Sequence, residues 1–135
     1  MDIRIAKHSD YKTLEEWWGF WRFSSPSPSS LPQYSKEEFN GLIASKDGKD
    51  IACGFLYETN SNMCLIEFIV TNPKTTAQER EEGILTVLEE LSASAKELGY
   101  AIAFSSLKNE NLINKYLKAG FIEGTKGTSE LIRIL

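Results

Sequence analysis

At 135 residues the chain has one domain's worth of length, enough to bury a single sizeable core. Hydrophobic residues make up 41% and charged residues 25%, ordinary globular usage that argues against intrinsic disorder. Fifteen Lys+Arg against 19 Asp+Glu leave a net charge of -4, so no general electrostatic pull toward nucleic acid or an anionic membrane is expected.

No apolar run approaches the roughly 18 residues of a membrane span. The opening MDIRIAKHSDYK alternates charged and apolar residues and lacks a signal peptide's apolar centre. Cys53 and Cys64 are too few for a disulfide framework, lack metal-site spacing, and have no basic neighbour to activate them; they read as small buried hydrophobes. One histidine, His8, excludes a histidine-rich metal site and reads as a surface or cap residue. A cytoplasmic protein without a metal is the expectation.

Ile3 and Ile5 alternate with polar neighbours, which predicts an opening strand. Ser9 or Asp10 offers an N-cap, and Leu14, Trp17, Trp18 and Trp21 recur at helical spacing, giving a helix with an aromatic face. The Ser/Pro stretch Ser24–Pro32 stops it and reads as an exposed loop. Ser35-Lys36-Glu37-Glu38 fits a capping box, which predicts a short second helix to about Asn40. Three strands follow: Leu42–Ser45, Ile51–Glu58 after an Asp47-Gly48 hairpin turn, and Met63–Thr71, ended by Asn72-Pro73. From Gly83, the series Ile84, Val87, Leu88, Leu91, Ala95 and Leu98 predicts a helix closed by Gly99. Tyr100–Ser105 reads as a short strand, and Leu112, Ile113, Tyr116 and Leu117 as a last helix ending at Gly120. Phe121-Ile122 and Leu131–Leu135 read as a final antiparallel pair around Gly124–Gly127.

This order predicts one α/β (α+β) domain over residues 1–135, with a mixed, mostly antiparallel central sheet and helices on both faces. Three segments then resemble the GCN5-related N-acetyltransferase family. Asn109–Phe121 matches its asparagine, helix and Tyr-x-Lys-x-Gly-Phe segment without a gap. Ile66–Pro73 is similar to its fourth strand with a closing proline, and Ile51–Leu56 to its glycine-bearing third strand. The family's phosphate-cradling Arg/Gln-x-x-Gly-x-Gly/Ala turn has its nearest match in Arg80–Leu85, where Arg80 and Gly83 fit. Leu85 replaces a small residue, and Glu81 and Glu82 put negative charge beside an anion's place.

The resemblance implies acetyl-CoA as co-substrate, held by Arg80 and Gly83 at the pyrophosphate, by Asn109, and by the backbone of Ile69, Val70 and Thr71 along the pantetheine arm. Tyr116 would protonate the departing thiolate, or is simply one more apolar-face residue of its helix. Glu67, the only charge in Met63–Thr71, would take the amine proton, or faces solvent. The family's other option, a glutamate five residues before the asparagine, is absent, because Phe104 stands there. Asn109 also serves as a plain N-cap.

Phe20 and Trp21 would wall a site for a small-molecule or peptide amine acceptor, although the Trp17, Trp18 and Trp21 spacing equally fits a core stripe. The reading is an acetyl-CoA-dependent N-acetyltransferase acting by direct attack on a primary amine. The alternative is a catalytically silent protein of this fold with a degenerate phosphate turn, serving as a structural or interaction module. Edge-strand pairing into a homodimer through Leu131–Leu135 is a further implication of the resemblance, with no nucleic acid or membrane partner.

Overall fold

The computed structural model describes all 135 residues. β1 (Asp2–Lys7) leads through a 3-10 turn into α1 (Tyr11–Phe20), followed by β2 (Glu38–Lys46), β3 (Lys49–Tyr57) and β4 (Met63–Thr71). Then come α2 (Ala77–Glu97), β5 (Ile102–Phe104) and α3 (Glu110–Lys118). The strands form one sheet in the order β1-β2-β3-β4-β5, antiparallel throughout except for the parallel β4–β5 pair. Asp47 and Gly48 both take positive φ (52° and 77°) between Lys46 and Lys49, the two-residue turn that suits the strand twist.

Side-chain alternation sends each strand's apolar residues to two cores, one on each sheet face. Ala44, Ala52, Leu56, Cys64 and Ile66 pack with Ile84, Val87, Leu88 and Leu91 of α2 and Tyr116 of α3. Ala6, Ile43, Cys53, Phe55 and Val70 pack on the other face with Leu14, Trp17 and Trp18 of α1 and with Phe39. The expected mixed sheet, covered by helices on both faces, is therefore present.

One irregularity in β4 shapes the site. Phe55 pairs with Glu67 but Cys53 pairs with Val70, so three steps along β4 face two along β3. The extra residue is accommodated at Phe68, whose φ of 58° is left-handed and strained for an aromatic side chain. Alternation is thereby reset: Ile66 faces the α2 core, Phe68 the α1 core, and Ile69 the α2 core again. Gly54 makes the room, since a Cβ there would lie 2.3 Å from Ile69 Cδ1 and 2.9 Å from Val87 Cγ1.

Several sequence expectations are corrected. Ser35–Asn40 is not a helix. Ser35 Oγ donates to a Glu38 carboxylate oxygen (2.8 Å) in a tight turn, and β2 has already begun at Glu38. Phe39, Gly41 and Ile43 are buried with period two, and that strand pattern outweighs a one-turn cap signal. α2 starts at Ala77, not Gly83, because Thr76 and Glu79 form a reciprocal capping box ahead of a run of good helix formers.

The Ser/Pro loop is pinned rather than free. Tyr11 donates to the Pro26 carbonyl (2.6 Å), Tyr57 to that of Ser30 (2.8 Å), and Leu31 is buried. Finally, Phe121-Ile122 and Leu131–Leu135 do not pair. After the Phe121 N–H bond to Tyr116, the remaining backbone makes no backbone hydrogen bond. A two-residue strand opposite a five-residue one offers too few rungs to hold an isolated pair in water.

Gly54→Ala should destabilise the protein by about 1–3 kcal/mol through overpacking against Ile69 and Val87. Adding Ile69→Ala should recover part of that loss, so the double variant costs less than the two single variants summed. Urea denaturation midpoints of the four proteins check this.

Candidate active site

Parallel pairing of β4 with β5 covers three rungs, Met63–Leu65 against Ile102–Phe104, and then ends. From Ile66 to Thr71 no strand lies beside β4 on that side, so the sheet opens into a notch. At its apex the Ile66 carbonyl accepts from the Ser105 hydroxyl and from the Tyr116 hydroxyl (3.3 Å). Tyr116 is 2% exposed, with Phe121 edge-on against its ring at 4.8 Å. Burial pushes its phenol well above the usual value, aided by the negative field of Glu67, so it stays protonated at neutral pH.

Glu67 lies across the same notch, half-buried, where the backbone N–H of Ser106 donates to both carboxylate oxygens (3.1 and 3.3 Å). Its pKa is raised from 4.5 to about 7, mainly by desolvation; the Ser106 N–H opposes the rise, and the nearby Glu130 adds to it. Glu130 reaches this place through a 3.5 Å contact with Ser106 Oγ. Glu67 and Tyr116, 49 positions apart, are thus both anchored where the two strands part, one on Ser106 N–H and the other on the Ile66 carbonyl.

Phe68, turned by the bulge, sits among Trp18, Phe23 and Tyr57 with ring centroids 6.2–6.5 Å away. Phe23 is 51% exposed, and this aromatic group borders Glu67, whose charge helps lift the Tyr57 phenol to about 12, after burial. Trp21 closes α1 and donates from Nε1 to the Thr71 carbonyl (3.0 Å). Phe20 packs edge-on against it at 4.9 Å and is 61% exposed, outside both cores. So Trp17 and Trp18 are core, whereas Phe20 and Trp21 lie at the surface beside the end of β4.

The residues matched to the phosphate turn occupy helix. Gly83 lies inside α2, where a Cβ would meet Ile51 Cγ2 at 2.8 Å and Ala52 Cβ at 3.1 Å; it permits close helix–sheet packing. The turn that enters α2 is Asn72–Thr76 instead, with Asn72 Oδ1 accepting from Lys74 N–H (2.9 Å). Arg80 folds back on this turn, donating to the Thr75 carbonyl with its guanidinium carbon 5.4 Å from the centre of the Trp21 ring.

Glu81 and Glu82 are drawn away from the turn by Lys118 (2.6 Å) and Lys46 (3.3 Å). Glu79 stays on it, accepting from Thr76 N–H (3.0 Å) while its other oxygen lies 3.5 Å from Lys49. Asn109 caps α3, accepting from Leu112 N–H at 3.0 Å.

The residues present fit a CoA thioester in part. The free edge of β4 from Ile66 onward suits an extended chain bearing amides, and the unpaired N–H groups of the first turn of α2 suit phosphate. Against that, the Thr71 carbonyl and Arg80 already have partners. His8 packs at a tilt against Phe39, ring centroids 4.5 Å apart, away from the notch and beside a surface concavity of about 770 Å³ lined also by Tyr11, Lys12 and Gln33. Both cysteines are buried free thiols, and burial raises the thiol of Cys53 far above its usual range. No helix is long and apolar enough to cross a membrane.

Sequence reasoning passed over Ser105, Ser106, Phe68, Tyr57 and Glu130. Only Gly54, a lone glycine inside a strand pattern, signalled the bulge that assembles them.

Glu67 makes stability depend on pH. Because the folded state keeps its proton up to about pH 7 and the unfolded state loses it near 4.5, its contribution is greatest below 4.5 and is lost as pH rises through 7. Solvent reaching this half-buried carboxylate limits the effect to about 1 kcal/mol. Glu67→Gln should therefore gain roughly 3–5 °C in Tm relative to the parent between pH 5 and pH 8, measured by calorimetry at both values.

No family model matches the chain, and no curated protein matches it in sequence. Solved structures match its fold. The ribosomal-protein-S18-alanine N-acetyltransferase of Escherichia coli is 17% identical over 92% of this chain and 79% of its own, with a TM-score of 0.72. Glucosamine-6-phosphate N-acetyltransferase of Arabidopsis thaliana is 17% identical over 98% of both chains, at 0.66. Rv2747 of Mycobacterium tuberculosis, solved with CoA, is 19% identical over 96% of this chain and 77% of its own, at 0.65. At such identities the likeness is one of fold, and that fold is the one the Asn109–Phe121, Ile66–Pro73 and Ile51–Leu56 segments resembled.

Proposed function

From a chain with the fold of the GCN5-related N-acetyltransferases, we propose an acetyl-CoA-dependent N-acetyltransferase acting on a primary amine. The observation that carries this is that a carboxylate with a pKa near 7 and a buried phenol are both anchored at the notch where β4 leaves β5. The amine nitrogen attacks the thioester carbonyl, forming the C–N bond as the C–S bond breaks. Glu67 accepts the amine proton, directly or through water, and Tyr116 returns a proton to the sulfur. Backbone N–H groups of β4 polarise the thioester oxygen.

The backbone of Ile69, Val70 and Thr71 lines the arm of the co-substrate. The turn Asn72–Thr76 with the start of α2 and Lys74 takes the phosphates, and Asn109 flanks the arm from the cap of α3. Arg80 and Gly83 shape this turn from within α2: Arg80 by fixing the Thr75 carbonyl, Gly83 by letting the helix approach β3. Phe20, Trp21 and Phe23 favour an acceptor with an apolar or aromatic portion next to its amine. The arrangement of Trp21 on Thr71 and Arg80 on Thr75 favours the second reading, a silent member of the fold, because both contacts occupy groups a cofactor would use.

Titration with acetyl-CoA separates the two. Micromolar binding should raise Tm, by about 2.7 kcal/mol of added stability at a hundredfold excess over Kd. No shift at millimolar ligand would leave the silent reading standing. With an amine acceptor in hand, Tyr116→Phe should lower kcat by 10- to 1000-fold at nearly unchanged CoA affinity, and kcat/KM of the parent should climb with pH up to about 7 and then level.

A further inference from the structure

The turn that enters α2 is closed at both ends by the protein's own side chains. At its start, Trp21 Nε1 donates to the Thr71 carbonyl (3.0 Å), on the stretch of β4 that no strand covers on the β5 side. At its end, a Glu79 carboxylate oxygen accepts from the Thr76 N–H (3.0 Å), and Thr76 Oγ1 accepts from the Glu79 N–H (3.1 Å). Thr71 and Thr76 are five positions apart, so the two contacts bracket Asn72–Thr75.

Each contact imitates a different part of an extended, phosphorylated ligand. An indole N–H on a strand carbonyl makes the bond that an amide N–H of an extended chain makes. A carboxylate on a helix-entry N–H makes the bond that a phosphate oxygen makes there. The imitation includes a counter-ion: the Thr76 N–H above all, with Lys49 at 3.5 Å, holds the Glu79 carboxyl below its usual range. Trp21 is itself clamped. The Arg80 guanidinium, anchored on the Thr75 carbonyl, has its carbon 5.4 Å from the centre of the indole ring, and Phe20 packs edge-on at 4.9 Å. Yet this indole is 44% exposed, against 6% and 1% for Trp17 and Trp18, so its release opens neither core.

We propose that Trp21 and Glu79 form a self-occupying latch, which a CoA thioester displaces from Thr71 and Thr76 before its arm and phosphates can seat. The latch rests on the acetyl-CoA reading and makes the two blocking contacts the regulation of that site. The resting site is shut, and apparent affinity is set by the fraction of molecules in which the latch is open. Competing with one neutral hydrogen bond lowers affinity by about 3- to 10-fold, and with a charged one by about 10- to 100-fold. Displacing Glu79 also frees Lys49 for the incoming anion.

Calorimetric titration of the full-length protein with CoA tests this, because binding is read without turnover. Trp21→Phe keeps an aromatic ring and removes the N–H; Glu79→Gln keeps an oxygen for the Thr76 N–H and removes the charge. Trp21→Phe should bind CoA about 3- to 10-fold more tightly than the parent, and Glu79→Gln about 10-fold or more. Inorganic pyrophosphate, which has no arm, should gain from Glu79→Gln alone. CoA should change the tryptophan fluorescence of the parent, and that change should vanish in Trp21→Phe. Glu82→Gln removes the same charge from a residue paired with Lys46 off the turn, and should stay within about twofold of the parent. Either latch variant within about twofold of a parent that binds CoA overturns the latch and leaves the acetyl-CoA reading standing. So does a Glu82→Gln that gains as much as Glu79→Gln. A parent and variants that all fail to bind millimolar CoA overturn both.

Discussion

One extra residue in β4 organises this molecule. Without it, Glu67 and Phe68 would alternate across the sheet like any strand pair, and β4 would run straight beside its neighbours. With it, Phe68 is forced to a left-handed φ and turned toward the α1 face, while Ile69 returns to the α2 face. Glu67 is left with its carboxylate on the Ser106 N–H across the widening gap. The strain is offset by packing: Phe68 is gripped by three aromatic rings, and Ile69 enters the space that Gly54 leaves open. A bulge held this firmly is a permanent feature of the sheet, and the notch beyond it is built before any ligand arrives.

The parts of the fold legible in the sequence were those set by local chemistry. Asp47-Gly48 specifies its turn because both residues tolerate positive φ, and Asn109 caps a helix whose apolar residues recur at 3.6 spacing. The failures came where a local signal met a longer-range one. Ser35 and Glu38 bond each other side chain to side chain and not through the side chain–backbone bonds of a capping box, and Phe39 and Ile43 are worth more in the sheet core than one helical turn is in solvent. Leu131–Leu135 has strand composition, yet it makes no backbone hydrogen bond and its side chains stay exposed, because composition alone supplies no partner strand.

The candidate site was legible as residues, not as geometry. Glu67 and Tyr116 could be named, but their meeting depends on Ser105 and Ser106, two polar residues that end β5 and look like any loop. The charge argument against the phosphate turn shows the same gap. Glu81 and Glu82 read as negative charge beside an anion's place, but helical geometry turns them toward Lys118 and Lys46, which lie 37 and 36 positions away. Linear proximity overstated a repulsion that two surface ion pairs, each individually weak, disperse.

What gives the notch chemical character is that one environment raises two acids that start far apart. Both groups lose water, and desolvation raises both, but to different ends. The carboxyl of Glu67 starts at 4.5 and arrives near 7, where it exchanges a proton readily in either direction; the phenol of Tyr116 starts near 10 and is pushed well beyond, where it only donates. The Ser106 N–H keeps Glu67 from rising further, and Glu130 keeps it from falling back, so its acidity is set by opposed neighbours rather than by burial alone. Glu130 belongs to the same stretch as the exposed Leu131–Leu135 segment. That stretch makes no backbone hydrogen bond, and its 3.5 Å contact with Ser106 Oγ sets this charge beside Glu67.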